Sequence, residues 1–363
     1  MNWGVDRQFM STKQRLLFVS DGFCNVDSGR MISPRGSSIH LFNLASKLIL
    51  LGFTIRVLQM GENDCQFIKK GILIQQLKSK SVEDFNKRWP FLVTPKEHVH
   101  LNNIDCCPQV YIPNMTATIH TNAFMEKPST ANKLLQIASR FKKIGVVNMD
   151  YLSFFPELQA KFCFIPNAVD TSLFKCLKSP WLRSFKTIQL FFPNIPLPKK
   201  SLATAIQTLV TLNSCCHDIS WRLFVAGNCP DNVFLPGAIK EKINFLGVLS
   251  YPKGMIKYYN FSDVVVVPSK SESSSLVTLE AMACGVPVVA GNVSGLNNTI
   301  KDQMTGLIVP SHAAADWAKA ISCLCQTPEL YNNLSCNALF TVSTNNTFEQ
   351  QIAKYLEVWE LCA

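Results

Sequence analysis

The sequence predicts an α/β protein of two doubly wound domains, each a parallel sheet with helices on both faces. Three observations carry this. The chain has 363 residues, 47% hydrophobic and 17% charged, which is ample for packed cores and too long for one, since a single core rarely outgrows about 250–300 residues. Residues 15–59 run strand, helix, strand. The same rhythm restarts at residue 187, after a polar, proline-containing passage at 175–186. The expected division is therefore 1–176, 177–345 and a terminal helical segment, 346–363.

The first strand is Arg15–Ser20, a short apolar run closed by a polar turn. Ser37 and Ser38 open a helix whose apolar residues Ile39, Phe42, Ala45, Leu48 and Ile49 recur at helical spacing. Gly52 ends it, and residues 54–59 read as a second strand, parallel to the first because a crossover helix joins them. Further strands are expected at 116–120, 144–148 and 162–165, with a helix at 130–143. Residues 61–113 carry mixed signals and receive no assignment. In the second half strands are expected at 187–192, 221–226, 242–245, 264–267 and 286–290, and helices at 202–212, 251–260, 276–283 and 313–325. Residues 348–361 are helical by the spacing of Ile352, Tyr355, Leu356 and Trp359.

The formal charge of +10 is uneven: residues 1–176 hold 21 Lys and Arg against 13 Asp and Glu. Such an excess suits an anionic partner, whether lipid surface, nucleic acid or phosphorylated substrate. Residues 1–15 are too polar for a signal peptide, and no charge-free stretch approaches the roughly 18–20 apolar residues of a membrane span. The expectation is a cytoplasmic protein, or one peripheral on the inner face of the membrane. The 14 cysteines then act as small buried hydrophobes, and without a CxxC pair no metal site is expected.

In open parallel sheets ligands bind beyond the carboxyl ends of the strands. The most informative loop of this kind follows the run Asp263 to Val267 and places Glu272 and Glu280 eight residues apart. Glu272 falls in the loop and Glu280 one or two turns into the next helix, so both carboxylates can address one ligand. The helix's first amides, from Ser273 to Val277, suit a phosphate or a sugar hydroxyl.

The stretch Glu272, Leu279-Glu-Ala-Met-Ala-Cys-Gly285 and Pro287-Val-Val-Ala290 resembles the E-x7-E signature of the family-four glycosyltransferases. These are retaining enzymes of the GT-B fold, two Rossmann-like domains facing a central cleft, which use nucleotide sugars. Further stretches are similar to that family: Phe245-Leu-Gly-Val-Leu249, Tyr259-Asn-Phe-Ser-Asp263, Val267-Pro-Ser269, Thr305-Gly-Leu-Ile-Val-Pro310, Ile165-Pro-Asn-Ala-Val-Asp170 with Phe174, and Gly36-Ser-Ser-Ile-His40 leading to Gly52.

The resemblance implies roles. Glu280 accepts hydrogen bonds from the donor ribose. Glu272 holds a hydroxyl of the transferred sugar, with the amides of Ser274, Ser275, Leu276 and Val277 near the sugar or diphosphate. Lys199 neutralises the diphosphate, and Gly36 lets the first domain's backbone approach it. His120 corresponds to the family's active-site histidine, so the expected catalytic set is Glu272, His120 and Lys199. Gly227 corresponds to a tight-turn glycine. His40, one turn into its helix, reads as packing.

Departures from the family pattern qualify the expected activity. Its phosphate-binding Arg falls at Asn194 on the donor side, Lys200, standing where a Gly is usual, is expected to compensate for the missing cation there, and Ser273 and Ser275 replace glycines. Arg35 replaces the first Gly of the N-terminal pair. The leading expectation is metal-independent, cofactor-free transfer from a nucleotide diphosphate sugar to a lipid-linked or polysaccharide acceptor in cell-surface glycan synthesis. The partners implied are the nucleotide sugar, a glycan or glycolipid, and an anionic membrane surface. The alternative is a non-catalytic nucleotide-sugar-binding partner or regulatory subunit. Nucleic acid is not expected, since the aromatics do not interleave with basic residues as stacking platforms require.

Overall fold

The computed structural model describes residues 14–23, 36–177, 186–231, 233 and 235–361. Arg35 and most of the expected linker lie outside these residues. The chain divides into two compact units, one of residues 1–167 with 348–363 and one of residues 168–347. The crossings thus fall at Asn167/Ala168 and Thr347/Phe348, not at the expected 176/177 and 345/346. The IPNAVD stretch and Phe174 explain the first difference, because Val169 and Phe174 pack into the core of the second unit.

The first unit holds an eight-stranded sheet ordered β3-β4-β2-β1-β5-β6-β7-β8. Its strands are β1 (Arg15–Ser20), β2 (Thr54–Gly61), β3 (Cys65–Lys69), β4 (Ile72–Lys78), β5 (Glu97–Leu101), β6 (Thr116–Ile119), β7 (Ile144–Val146) and β8 (Phe162–Phe164). All neighbours pair in parallel except β3 with β4. Five consecutive residues of β1 are buried, as a central strand covered on both faces requires. Its helices are α1 (Gly36–Leu50), α2 (Val82–Arg88), α3 (Ala123–Glu126), α4 (Pro128–Ala138) and α5 (Asp150–Phe154), with the C-terminal helix Phe348–Trp359.

The unassigned stretch contains the β3–β4 hairpin, α2 and β5. β3 lies at the sheet edge and is only half buried, so it shows no strong apolar alternation. α2 is set by its ends: the Ser81 side chain accepts from the Asp84 amide at 3.1 Å, Glu83 and Asp84 stand in its first turn and Lys87 and Arg88 in its last. α4 stops five residues before the expected end because the Lys142 amide donates to Met115 O at 2.9 Å, turning the chain into β7.

The second unit is a six-stranded parallel sheet ordered β11-β10-β9-β12-β13-β14. Its strands are β9 (Thr187–Phe192), β10 (Ser220–Val225), β11 (Ile243–Phe245), β12 (Val264–Val267), β13 (Val288–Gly291) and β14 (Leu307–Val309). Its helices are α6 (Leu202–Cys215), α7 (Lys253–Phe261), α8 (Leu276–Ala283), α9 (Ser294–Asn297), α10 (Ala314–Gln326) and α11 (Pro328–Asn345). Val264 and Val266 of β12 enter the core on one face and Val265 and Val267 the core on the other. α11 escapes the pattern because its buried face includes Asn332 and Ser335; the Ser335 hydroxyl donates to Gly285 O at 2.7 Å. Strand order reverses between β9 and β12, so the loops leaving these two strands diverge and open a crevice.

Candidate functional site

The crevice is built from the loops after β9 and β12. Beyond β9, Asn194 is buried, and Pro198–Lys200 forms a single 3-10 turn that ends at Ser201 with φ 56°. Lys199 is exposed, and its tie to the facing loop is its carbonyl, which accepts from the Lys270 amide at 2.8 Å. Lys200 is the lysine brought to the carboxylate: its ammonium pairs with Glu272 Oε1, both side chains being largely buried. The residue with a left-handed backbone is Ser201, and Lys200 directs its ammonium to the loop after β12.

Glu272 Oε1 also accepts from the Ser269 hydroxyl at 2.8 Å. The backbone of this loop is seated on the start of α9, where the Gly295 amide donates to Glu272 O at 3.1 Å. A Cβ at Gly295 would lie 2.3 Å from that oxygen, so only glycine permits the approach. Ser275 precedes α8 with φ −103°, and its hydroxyl accepts from Thr278 Oγ1 at 2.9 Å instead of capping the helix. Neither Ser273 nor Ser275 has a positive φ, so both serines are compatible with positions where the resembled family carries glycine. Leu276 and Val277 supply the first turn of α8 with no side-chain cap above them.

Glu280, one turn further along α8, is 3% exposed. Tyr259 of α7 donates to its Oε2 at 2.8 Å, and Tyr251 hydrogen-bonds to the same carboxylate. Burial pushes the Glu280 carboxyl up to about 7, outweighing the two tyrosine hydrogen bonds that favour its charged form. Phe174 packs on both tyrosine rings and Phe191 on Tyr259. Gly227, φ 105°, closes the turn after β10 through its amide to Gly247 O at 2.7 Å. A Cβ there would lie 2.6 Å from Pro196 Cδ, so this glycine shapes the loop that carries Asn194 and Lys200.

Gly36 and His120 belong to the first unit. Gly36 is the exposed first residue of α1. His120 follows β6 with its ring 5.0 Å from that of His40, and burial, with His40 beside it, holds it well below the usual histidine range. His40 Nε2 lies 3.0 Å from Gln351 Oε1 of the C-terminal helix. Among the described residues no group of three or more His, Cys, Asp or Glu is arranged to hold a metal ion, and no helix is long and apolar enough to cross a membrane.

Sequence reasoning missed Ser269, Tyr251 and Tyr259 as partners of the two carboxylates. Tyr259 and Ser269 lay in motifs already singled out, and Tyr251 did not. Its hydroxyl meets Glu280 through the packing of α7 on α8, which no local spacing reveals.

The chain has the GT-B fold, two Rossmann-like α/β units. Sucrose-phosphate synthase from Thermosynechococcus elongatus shares it with a TM-score of 0.74 at 18% identity, covering 96% of this chain and 99% of that one. Anabaena HepE, solved in complex with UDP-glucose, does so with a TM-score of 0.71 at 15% identity, covering 94% and 99%. Residues 187–327 match the family described as glycosyl transferases group 1. The D-inositol 3-phosphate glycosyltransferase of Rhodococcus jostii is 39% identical over 114 residues, which is 29% of this chain and 25% of that protein; the sequence similarity thus spans about a quarter of the relative's length.

Proposed function

We propose that the protein is a retaining glycosyltransferase that moves a sugar from a nucleotide diphosphate sugar to an acceptor. The observation that carries this reading is the ion pair that joins Lys200, from the loop after β9, to Glu272, from the loop after β12, with Glu280 eight residues on in α8, inside the segment that matches glycosyl transferases group 1. Glu280 takes the ribose, since one carboxylate can accept from two vicinal hydroxyls. Glu272 and the first turn of α8 take the sugar and diphosphate. Lys200, with Lys199 beside it, offsets the charge that grows on the departing diphosphate, so the reaction runs without a metal or other cofactor. His120, assigned by resemblance, is neutral at physiological pH and acts by hydrogen bonding. The basic first half suits an acceptor on an anionic surface, either lipid-linked or part of a polysaccharide, and with it cell-surface glycan synthesis by a cytoplasmic or peripheral protein.

One observation favours the second reading, a nucleotide-sugar-binding regulator. Asn194 presents a buried amide nitrogen with no partner among the described residues, where the resembled family has a guanidinium. A screen of UDP-, GDP- and ADP-sugars for binding and hydrolysis, with and without EDTA, separates the two. Turnover of one donor that is insensitive to EDTA and lost in Glu272→Ala establishes the transferase. Binding without turnover in the presence of acceptors establishes the regulator, and no binding to any donor refutes both.

A further inference from the structure

Among the described residues no cation is set against the buried Glu280: what faces it are the Tyr259 hydroxyl from α7, the Tyr251 hydroxyl from the segment before α7, and the Cys284 thiol one turn further along the chain. That thiol is pushed up to about 12, first by burial and then by Glu280 itself, so it stays protonated and neutral. A carboxylate offers about four lone-pair positions. The two tyrosines occupy two, and two remain, the number that a vicinal diol fills. Tyr259 has no freedom to do otherwise, because its ring is fully buried against Phe174 and Phe191, which fixes its hydroxyl 2.8 Å from Oε2.

We propose that Tyr259 is a positioning residue: by holding Oε2 it sets the rotation of the Glu280 carboxylate so that the remaining lone pairs meet both hydroxyls of a ribonucleoside. The proposal rests on the reading of Glu280 as the ribose site. It has a proton consequence. A diol binds the ionised carboxylate, so nucleotide entry expels to solvent whatever proton Glu280 carries near neutral pH. The Tyr259 hydrogen bond favours the ionised form, and its removal moves the Glu280 titration upward.

The test has a ligand-free arm and a ligand arm. Carboxyl carbon NMR of Glu-labelled protein, titrated from about pH 5 to about pH 9, follows Glu280, identified by the signal missing in Glu280→Gln. The expected result is an upward shift of its midpoint by about half a unit to one unit in Tyr259→Phe, with Tyr251→Phe as a second variant that removes the other hydroxyl and keeps its ring. Calorimetry with UDP, GDP and ADP gives the other arm. Tyr259→Phe should weaken the best-bound nucleotide about tenfold at pH 7, with part of the loss recovered at higher pH. Glu280→Gln reports the ligand's own phosphate titration for subtraction. An unmoved Glu280 midpoint in Tyr259→Phe overturns the proposal whether or not nucleotide binds. A shifted midpoint in Tyr259→Phe, together with a wild-type protein that binds none of the three nucleotides, overturns the ribose assignment, and the proposed function with it.

Discussion

Mild acid should drive the stabilities of the two units in opposite directions. In the first unit the histidines His40 and His98 are lowered from 6.5 to about 4, in both cases mainly by burial, with Lys142 adding to the effect on His98. His100 and His120 are also held well below the usual histidine range, by burial and by neighbouring histidines. The unfolded chain therefore takes up these protons first. The stability they represent is complete above 6.5 and is lost as the pH falls toward 4. Between pH 7 and pH 5.5, His40 and His98 together cost about 2.5 kcal/mol, and the other two act in the same direction. In the second unit Glu280 is raised from 4.5 to about 7, chiefly by burial. Its penalty belongs to the charged form, so acidification over the same interval stabilises that unit by about 1.5 kcal/mol. Hydrogen exchange at pH 7 and pH 5.5, corrected for intrinsic rates, resolves the two. Peptides from β5 and the C-terminal helix should open far more readily at the lower pH, while those from β12 and α8 should be better protected. Equal changes in both units, or an unaltered first unit, would refute the linkage reasoning.

Four substitutions test other parts of the structure. Gly295→Ala puts a methyl against the Glu272 carbonyl and should weaken nucleotide binding by about tenfold or more through displacement of that loop, measured by calorimetry; an unchanged affinity would separate the α9 seat from the site. Gly227→Ala combines a left-handed backbone with a clash against Pro196 and should destabilise the second unit by about 1–3 kcal/mol, read from denaturant unfolding. Lys200→Ala removes the partner of Glu272, whereas Lys199→Ala removes an exposed ammonium, so the first should weaken donor binding clearly more than the second. The reverse order would return the diphosphate role to Lys199.

The parts of the molecule legible from the sequence are those whose signal is local. Leu276–Ala283 and Val264–Val267 agree with the expected elements residue for residue, since a four-valine run and an apolar helix behind a polar loop leave few alternatives. The pair Glu272 and Glu280 was legible because loop and helix together fix their spacing. The partners of these carboxylates were not, because Tyr259, Ser269 and Lys200 meet them through tertiary packing. That Lys200 and not Lys199 pairs with Glu272 was equally out of reach, since adjacent residues in a turn point in different directions. The β3–β4 hairpin was hidden by its exposure at the sheet edge, and the first crossing was displaced because Val169 and Phe174 are buried in the core that follows them.

The C-terminal helix gives the first unit a particular history. Its Tyr355 and Trp359 rings pack on His100, and Trp359 also packs on Phe18 of β1, so the middle of the first sheet is covered by a segment made only after the whole of the second unit. On the ribosome the second unit is therefore complete before the first can close, and residues 15–167 wait with part of their apolar surface in water while 180 residues of another core are synthesised. The order of synthesis is thus the reverse of the order of completion, and cutting the chain at residue 347 leaves the unit that began first as the one unable to finish.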